Sequence, residues 1–148
     1  MTTGAQNTAV GAHCSDNITT GGYNTAVGKS ALATLTTGSN NVVVGRAALS
    51  TANAAETGNV ALGTGAMSAV DEGQNDGAGV QNADNNIAIG TDAMVGGDLG
   101  DNNDSTDRYF SANIAIGDNA MNSTGSNAQI GTIAIGSSAL TALTSGAD

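Results

Sequence analysis

The chain contains no proline and no tryptophan, and its only aromatic residues are Tyr23, Tyr109 and Phe110. Aromatic rings normally supply much of the buried area of a globular core. Their scarcity excludes a conventional compact core. Small aliphatic side chains bury little area against a backbone ordering cost of about 1–2 kcal/mol per residue. A single cysteine, Cys14, excludes an internal disulfide framework. Cations are equally scarce. Lys29, Arg46 and Arg108 face 13 acidic residues, for a net charge of −10. That balance repels nucleic acid and anionic membrane, and the lack of rings removes any stacking platform for bases. No apolar run reaches the roughly 18 residues of a membrane-spanning helix, so none is expected. Residues Met1 to Gln6 lack a basic stretch followed by an apolar one, so no secretory signal is expected.

What the chain has instead is glycine, 22 of them, and a repeat. The motif is Asn, apolar or Thr, Ala, apolar, Gly, two variable residues, Ala, then Leu or Met. Copies begin at Asn7, Asn24, Asn41, Asn59, Asn86, Asn113 and Thr132. The motif glycines are Gly11, Gly28, Gly45, Gly63, Gly90, Gly117 and Gly136, spaced 17, 17, 18, 27, 27 and 19 residues apart. A polar, low-charge composition would otherwise fit a disordered chain; the strict period argues for order instead.

The residues before each glycine are rich in Val, Ile and Thr, which suit a short strand. Alternation places Thr25 and Val27 on one face and Asn24 and Ala26 on the other. The glycine permits a tight turn at positive φ. The apolar pair that follows, such as Ala31 and Leu32, returns toward the interior on a second short strand or on one helical turn. Linker pairs such as Thr37-Gly38 and Thr57-Gly58 mark turns. A 17-residue unit cannot fold alone, but stacked units can pair strands and share a core. The expected fold is therefore all-β, a parallel β-solenoid of about seven short coils, on the order of 35 Å long at about 4.8 Å per coil. It forms one domain over residues 1–148, with a cap repeat at 1–15, loop inserts at 70–85 and 96–112, and a cap at 140–148.

Stacking turns equivalent positions into columns. Val10, Val27, Val44, Leu62, Ile89, Ile116 and Ile135 are expected to form the apolar solenoid core. Asn7, Asn24, Asn41, Asn59, Asn86 and Asn113 are expected to form a polar ladder whose amides bond along the stack. Ala9, Ala26, Ala61, Ala88, Ala115 and Ala134 form a column of minimal bulk. That column admits close approach of either the far wall or another subunit.

The Asn-x-Ala-Val/Ile-Gly copies, with Ala-Leu after them and Thr-Thr-Gly linkers, resemble the head repeats of trimeric autotransporter adhesins. They are equally similar to repeats in phage tail fibres and other virion surface proteins, from Asn7 to about Leu140. The resemblance implies a left-handed parallel β-roll or β-helix with three chains around a threefold axis. The period here exceeds the adhesin-head period of about 14 residues, and neither a heptad stalk nor a membrane anchor is recognisable. The expectation is a homotrimer on a virion surface, bound to the major capsid protein or another virion surface protein. Capsid decoration (cement) is the first reading. A tail fibre, a spike component or an adhesin head is the alternative.

Chemistry-bearing residues are few. His13 and Cys14 are neighbours, but on extended backbone they point to opposite faces, so a thiol–imidazole pair is not expected and Cys14 fills the Ala column. A threefold cluster of His13 could bind a metal or anion, though no metal site is expected. The inserts hold Asp71, Glu72, Asp76 and Asp84, then Asp98, Asp101, Asp104 and Asp107. Such oxygens can ligate calcium, yet Asp101 to Asp107 lacks the glycine and closing glutamate of an EF-hand loop. Solvated loop acids with no cofactor are the expectation. Arg108, Tyr109 and Phe110 form an interface candidate, against the alternative that Phe110 packs over the coil below. Lys29 and Arg46 share one motif position and form a small basic step. An ice-binding Thr array fails, because Thr8 and Thr25 give way to Val42, Val60, Ile87, Ile114 and Ile133. No catalytic residues are expected, since the acids lie in linkers and not at strand positions where a cleft could pair them.

Overall fold

The structure, a computed structural model, describes residues 4–51, 55–70, 81–96, 108–122 and 129–141. The chain is an all-β parallel β-solenoid. Each repeat copy opens with a three-residue strand: β1 (Thr8–Val10), β2 (Thr25–Val27), β3 (Val42–Val44), β4 (Val60–Leu62), β6 (Ile87–Ile89), β8 (Ile114–Ile116) and β10 (Ile133–Ile135). These seven strands pair in parallel, in chain order, as one sheet. Thr8 lies against Thr25, Thr25 against Val42, and so on without slippage to Ile133. A second sheet is built by β5 (Gln81–Asn82), β7 (Arg108–Ser111) and β9 (Gln129–Ile130), also parallel. There is no helix among the described residues.

The stack amounts to about five turns rather than the expected seven. The five central copies are closed on both sides, with Asn24, Asn41, Asn59, Asn86 and Asn113 buried. Asn7 and Thr132, at the two ends, are only partly covered.

The expected core column proves to face outward. Val27, Val44 and Ile89 are 37%, 40% and 37% exposed, Val10 and Ile135 more so, and Leu62 and Ile116 are partly exposed. The residues turned inward are Ala26, Val43, Ala61, Ala88, Ala115 and Ala134, together with the asparagines. A period of two fixes which residues share a face, not which face is interior. The interior is narrow, and the pair after each glycine already fills it. Ala31-Leu32, Ala48-Leu49, Ala66-Met67, Ala93-Met94 and Ala120-Met121 are all fully buried. The small side chains of the Ala column, with Val43 in one coil, fit the space that is left.

That returning segment is a run of turns, neither strand nor helix. Its second and fourth residues after the glycine adopt positive φ, as Ser30 (56°) and Leu32 (53°) do. Left-handed backbone costs a leucine about 1–2 kcal/mol, offset here by full burial of the side chain. The glycine column itself is a matter of space. A Cβ on Gly11, Gly28, Gly45, Gly63, Gly90 or Gly117 would overlap the carbonyl oxygen of the glycine in the next coil.

Candidate functional site

The asparagine ladder runs the length of the stack. The Asn24 amide oxygen accepts both the backbone N–H and the Nδ2–H of Asn41, each at 3.0 Å. The remaining Nδ2–H of Asn41 donates across the coil to the Glu56 carbonyl at 2.7 Å. The same arrangement recurs from Asn7 to Asn113, where the cross-coil acceptors are the carbonyls of Gly21, Gly38, Ala83, Phe110 and Gln129. Thr132 ends the series by donating its N–H to the Asn113 amide oxygen at 2.9 Å. Buried amides are thereby satisfied, as burial requires.

A second ladder has no counterpart in the sequence reading. Ser39 Oγ accepts the Gly22 N–H at 3.1 Å, Thr57 Oγ1 the Ser39 N–H at 3.4 Å, Asp84 Oδ1 the Thr57 N–H at 2.7 Å, and Ser111 Oγ the Asp84 N–H at 3.4 Å. Its side chains accept from the coil below, whereas the asparagines accept from the coil above. The only signal was a Ser, Thr or Asp two residues before the ladder position, easily read as turn composition. Partial burial raises the Asp84 pKa above its ordinary value, a shift the Thr57 hydrogen bond opposes.

On the strands the large apolar side chains turn outward, beside asparagines that turn inward. Thr8, Thr25, Val42, Val60, Ile87, Ile114 and Ile133 form one outward column. Val10, Val27, Val44, Leu62, Ile89, Ile116 and Ile135 form the other. Seven strands at about 4.8 Å, each about 10 Å long, make a flat face of roughly 300 Å². The largest apolar patch on a typical monomer is of that order and is often functional. This face is the candidate site, and what it offers is a surface for association.

The other candidates fall elsewhere. Phe110 is fully enclosed and its carbonyl accepts Asn86 Nδ2; it packs inside its own coil and is not an interface anchor. Arg108 and Tyr109 lie on β7, and their side chains are outside the described residues. His13 and Cys14 diverge as expected. His13 Nδ1 meets Asp16 Oδ2 at 3.0 Å on the exposed surface. Cys14 is buried at the position after the glycine that Ala31 and Ala48 hold in the next coils, with its thiol 3.3 Å from the Ala26 carbonyl. Lys29 and Arg46 are exposed beside the glycine column. The acids at 71–76 and 98–107, and the cap from 142 onward, lie outside the described residues. Among the described residues no group of three His, Cys, Asp or Glu side chains could hold a metal ion, and no helix is long and apolar enough to cross a membrane.

No protein-family model, no curated protein and no solved structure matches the chain.

Proposed function

We propose that this chain is a structural protein of a virion surface that assembles as a homotrimer, with the outward sheet faces of three copies packed on a common axis. The observation that carries the reading is the inverted polarity of the strands. Asn24, Asn41, Asn59, Asn86 and Asn113 are buried while Val27, Val42, Val44 and Ile89 are exposed. A lone chain leaves this face in water, where each Val or Ile side chain, about two-fifths exposed, forgoes on the order of 0.5–1 kcal/mol of burial. Three such faces around an axis cover one another.

Within that reading, decoration of a capsid is the first role, a trimer clamping neighbouring copies of the major capsid protein. The resemblance of the repeats to virion surface proteins supports the setting. No catalytic role, cofactor or ion forms part of the proposal. A tail-fibre role is the second reading, favoured by the in-register pairing that continues unchanged from β1 to β10.

Light scattering tests the assembly. The wild-type chain is expected at three times its 14.2 kDa mass. Val27→Lys with Val44→Lys is expected at one times that mass with an unchanged circular dichroism spectrum, since both side chains already face solvent. A wild-type monomer would sink the reading. Co-sedimentation with mature empty capsids then separates the roles. A fixed ratio per shell supports decoration, and capture only by tailed particles supports the fibre.

A further inference from the structure

The coils stack by a hydrogen-bond pattern that repeats at fixed positions. The residue before the ladder position donates its N–H to the coil below, as Asn40 does to the Gly22 carbonyl and Gly131 to that of Ser111, both at 3.1 Å. The column glycine also donates downward, Gly28 to Val10 and Gly136 to Ile116, both at 2.8 Å. So does the second residue after it, Ser30 to Ala12 and Ser138 to Asp118, both at 2.8 Å. The fourth residue after the glycine donates upward instead, Leu32 to Ala48 at 3.0 Å and Met121 to Ala139 at 2.7 Å.

Carried to the two ends, the pattern leaves matching sets. On the last coil the carbonyls of Ile130, Ile135 and Ser137 and the N–H of Leu140 have no backbone partner among the described residues. On the first coil the same holds for the N–H groups of Gln6, Gly11 and His13 and the carbonyl of Cys14. Each group on one end is the partner type, in the register position, of a group on the other. Gln6 would donate to Ile130, Gly11 to Ile135, His13 to Ser137, and Leu140 to Cys14.

Gly136 marks the same open end. It holds φ at 126° like the rest of its column, a conformation that itself calls for glycine. A Cβ there would meet nothing within 4 Å, because the carbonyl of a coil above, which crowds this position lower in the stack, is missing among the described residues. The two hydrogen-bond sets fix the polarity. Head-to-tail contact sets N–H groups on carbonyls, while tail-to-tail contact sets carbonyl on carbonyl.

We infer that the last coil is a docking surface for the first coil of a second copy, so that copies join end to end and the ladder continues across the junction. An unpaired parallel edge of this kind is a template for adding a strand. The inference goes beyond the proposed virion role, because the lateral face and the axial end are different surfaces.

Small-angle scattering across protein concentration tests it with the intact chain. The longest dimension is expected to rise in steps of about 35 Å, the height of the seven-stranded sheet at about 4.8 Å per strand. Mass per unit length, which reports the lateral trimer, stays constant. Two variants are read beside it. Gly136→Ala places a methyl where the next copy's carbonyl would arrive, and because φ 126° strains any Cβ there, its melting temperature is read beside its length. Ile133→Pro removes an N–H that the pattern points away from its own chain, at an edge position where proline is tolerated. Both are expected to keep the wild-type spectrum and elongate at least tenfold more weakly. A wild-type length that does not change with concentration, or two variants that elongate as the wild type does, would overturn the inference. Loss of the constant mass per length would instead count against the trimer.

Discussion

In the first coils the positions that receive the cross-coil asparagine bond are Gly21 and Gly38, whereas from the fourth coil onward they are Ala83, Phe110 and Gln129. The two regions fill the same narrow interior from opposite sides. Near the start, Ile18 and Leu35 supply the bulk, and Leu35 lies so close to Gly38 that a Cβ there would meet its Cδ1 at 2.6 Å. Further along, Phe110 and Gln129 supply it from the other wall, whose backbone pairs as β5, β7 and β9. The strand ladder is what the stack conserves; which segment carries the volume changes. The change begins with the first 27-residue spacing, which brings in β5, and the second sheet continues through β9 in the 19-residue spacing before Gly136.

If the ladder is the part both regions share, breaking it costs a comparable amount in either. Asn86→Leu strips an acceptor from both N–H donors of Asn113 and a donor from the Phe110 carbonyl, and Asn41→Leu strips an acceptor from the Asn59 backbone N–H and a donor from the Glu56 carbonyl. At about 1–3 kcal/mol per buried unsatisfied group, each variant is expected to lose roughly 2–6 kcal/mol or more. Urea titration reads this directly, and a large difference between the two would break the equivalence.

The fillers test the difference between the regions. Phe110→Ala is expected to cost about 3–5 kcal/mol and Leu35→Ala about 2–5 kcal/mol, by lost burial and the cavity left behind. Phe110→Leu should recover most of the loss. A near-neutral Phe110→Ala would show that the far wall collapses and that the second sheet carries no volume.

The sequence was legible where a residue type and a spacing both repeat. The strands, the parallel register, the glycine column and the asparagine ladder all lie where the motif puts them. Asparagine at one position in six copies has few other uses than a chain of amide bonds. Illegible was anything decided by the cross-section. Alternation could not say that Ala26 faces in and Val27 out, since that depends on how much room Leu32 leaves. Phe110 in an insert looked like an anchor because its burial depends on Ala83 below it being small. Ser39, Thr57, Asp84 and Ser111 differ in type, so their common role as acceptors was hidden.

Asp84 sharpens the comparison at the point where a carboxylate replaces a hydroxyl in the second ladder. Its pKa is raised by burial, so the ionised form is less favourable folded than unfolded. The penalty is absent below the unfolded pKa, near 3.8, and grows as pH rises through the folded value. Asp84→Ser keeps an acceptor like those at Ser39 and Ser111 without the charge. The variant is expected to melt above the wild type at neutral pH, with the gap closing as pH falls toward the unfolded value. A gap that widens on acidification would mean that the Thr57 bond, not burial, governs the group.

The smallest expected effect concerns backbone strain shared by both regions. The residue before each ladder position is left-handed throughout, and the chain meets that need unevenly: Asn40 and Asn85 tolerate it, Gly58 and Gly131 remove it, and Ala112 bears it at φ 58°. Ala112 is exposed, and its N–H donates to the Asp84 carbonyl at 3.1 Å, so the conformation is set by the stack and not by the side chain. Replacing it with glycine removes a Cβ penalty of about 1–2 kcal/mol but restores unfolded-state freedom worth about 0.4–1 kcal/mol. Ala112→Gly is therefore expected to stabilise by somewhat under about 1 kcal/mol, and Tyr23→Gly, at φ 60° in the second coil, by a similar amount if that side chain makes no contact outside its own chain. Equal gains would place the strain in the repeat itself. A loss at Tyr23 beside a gain at Ala112 would mean that the exposed Tyr23 ring is held by a neighbouring copy.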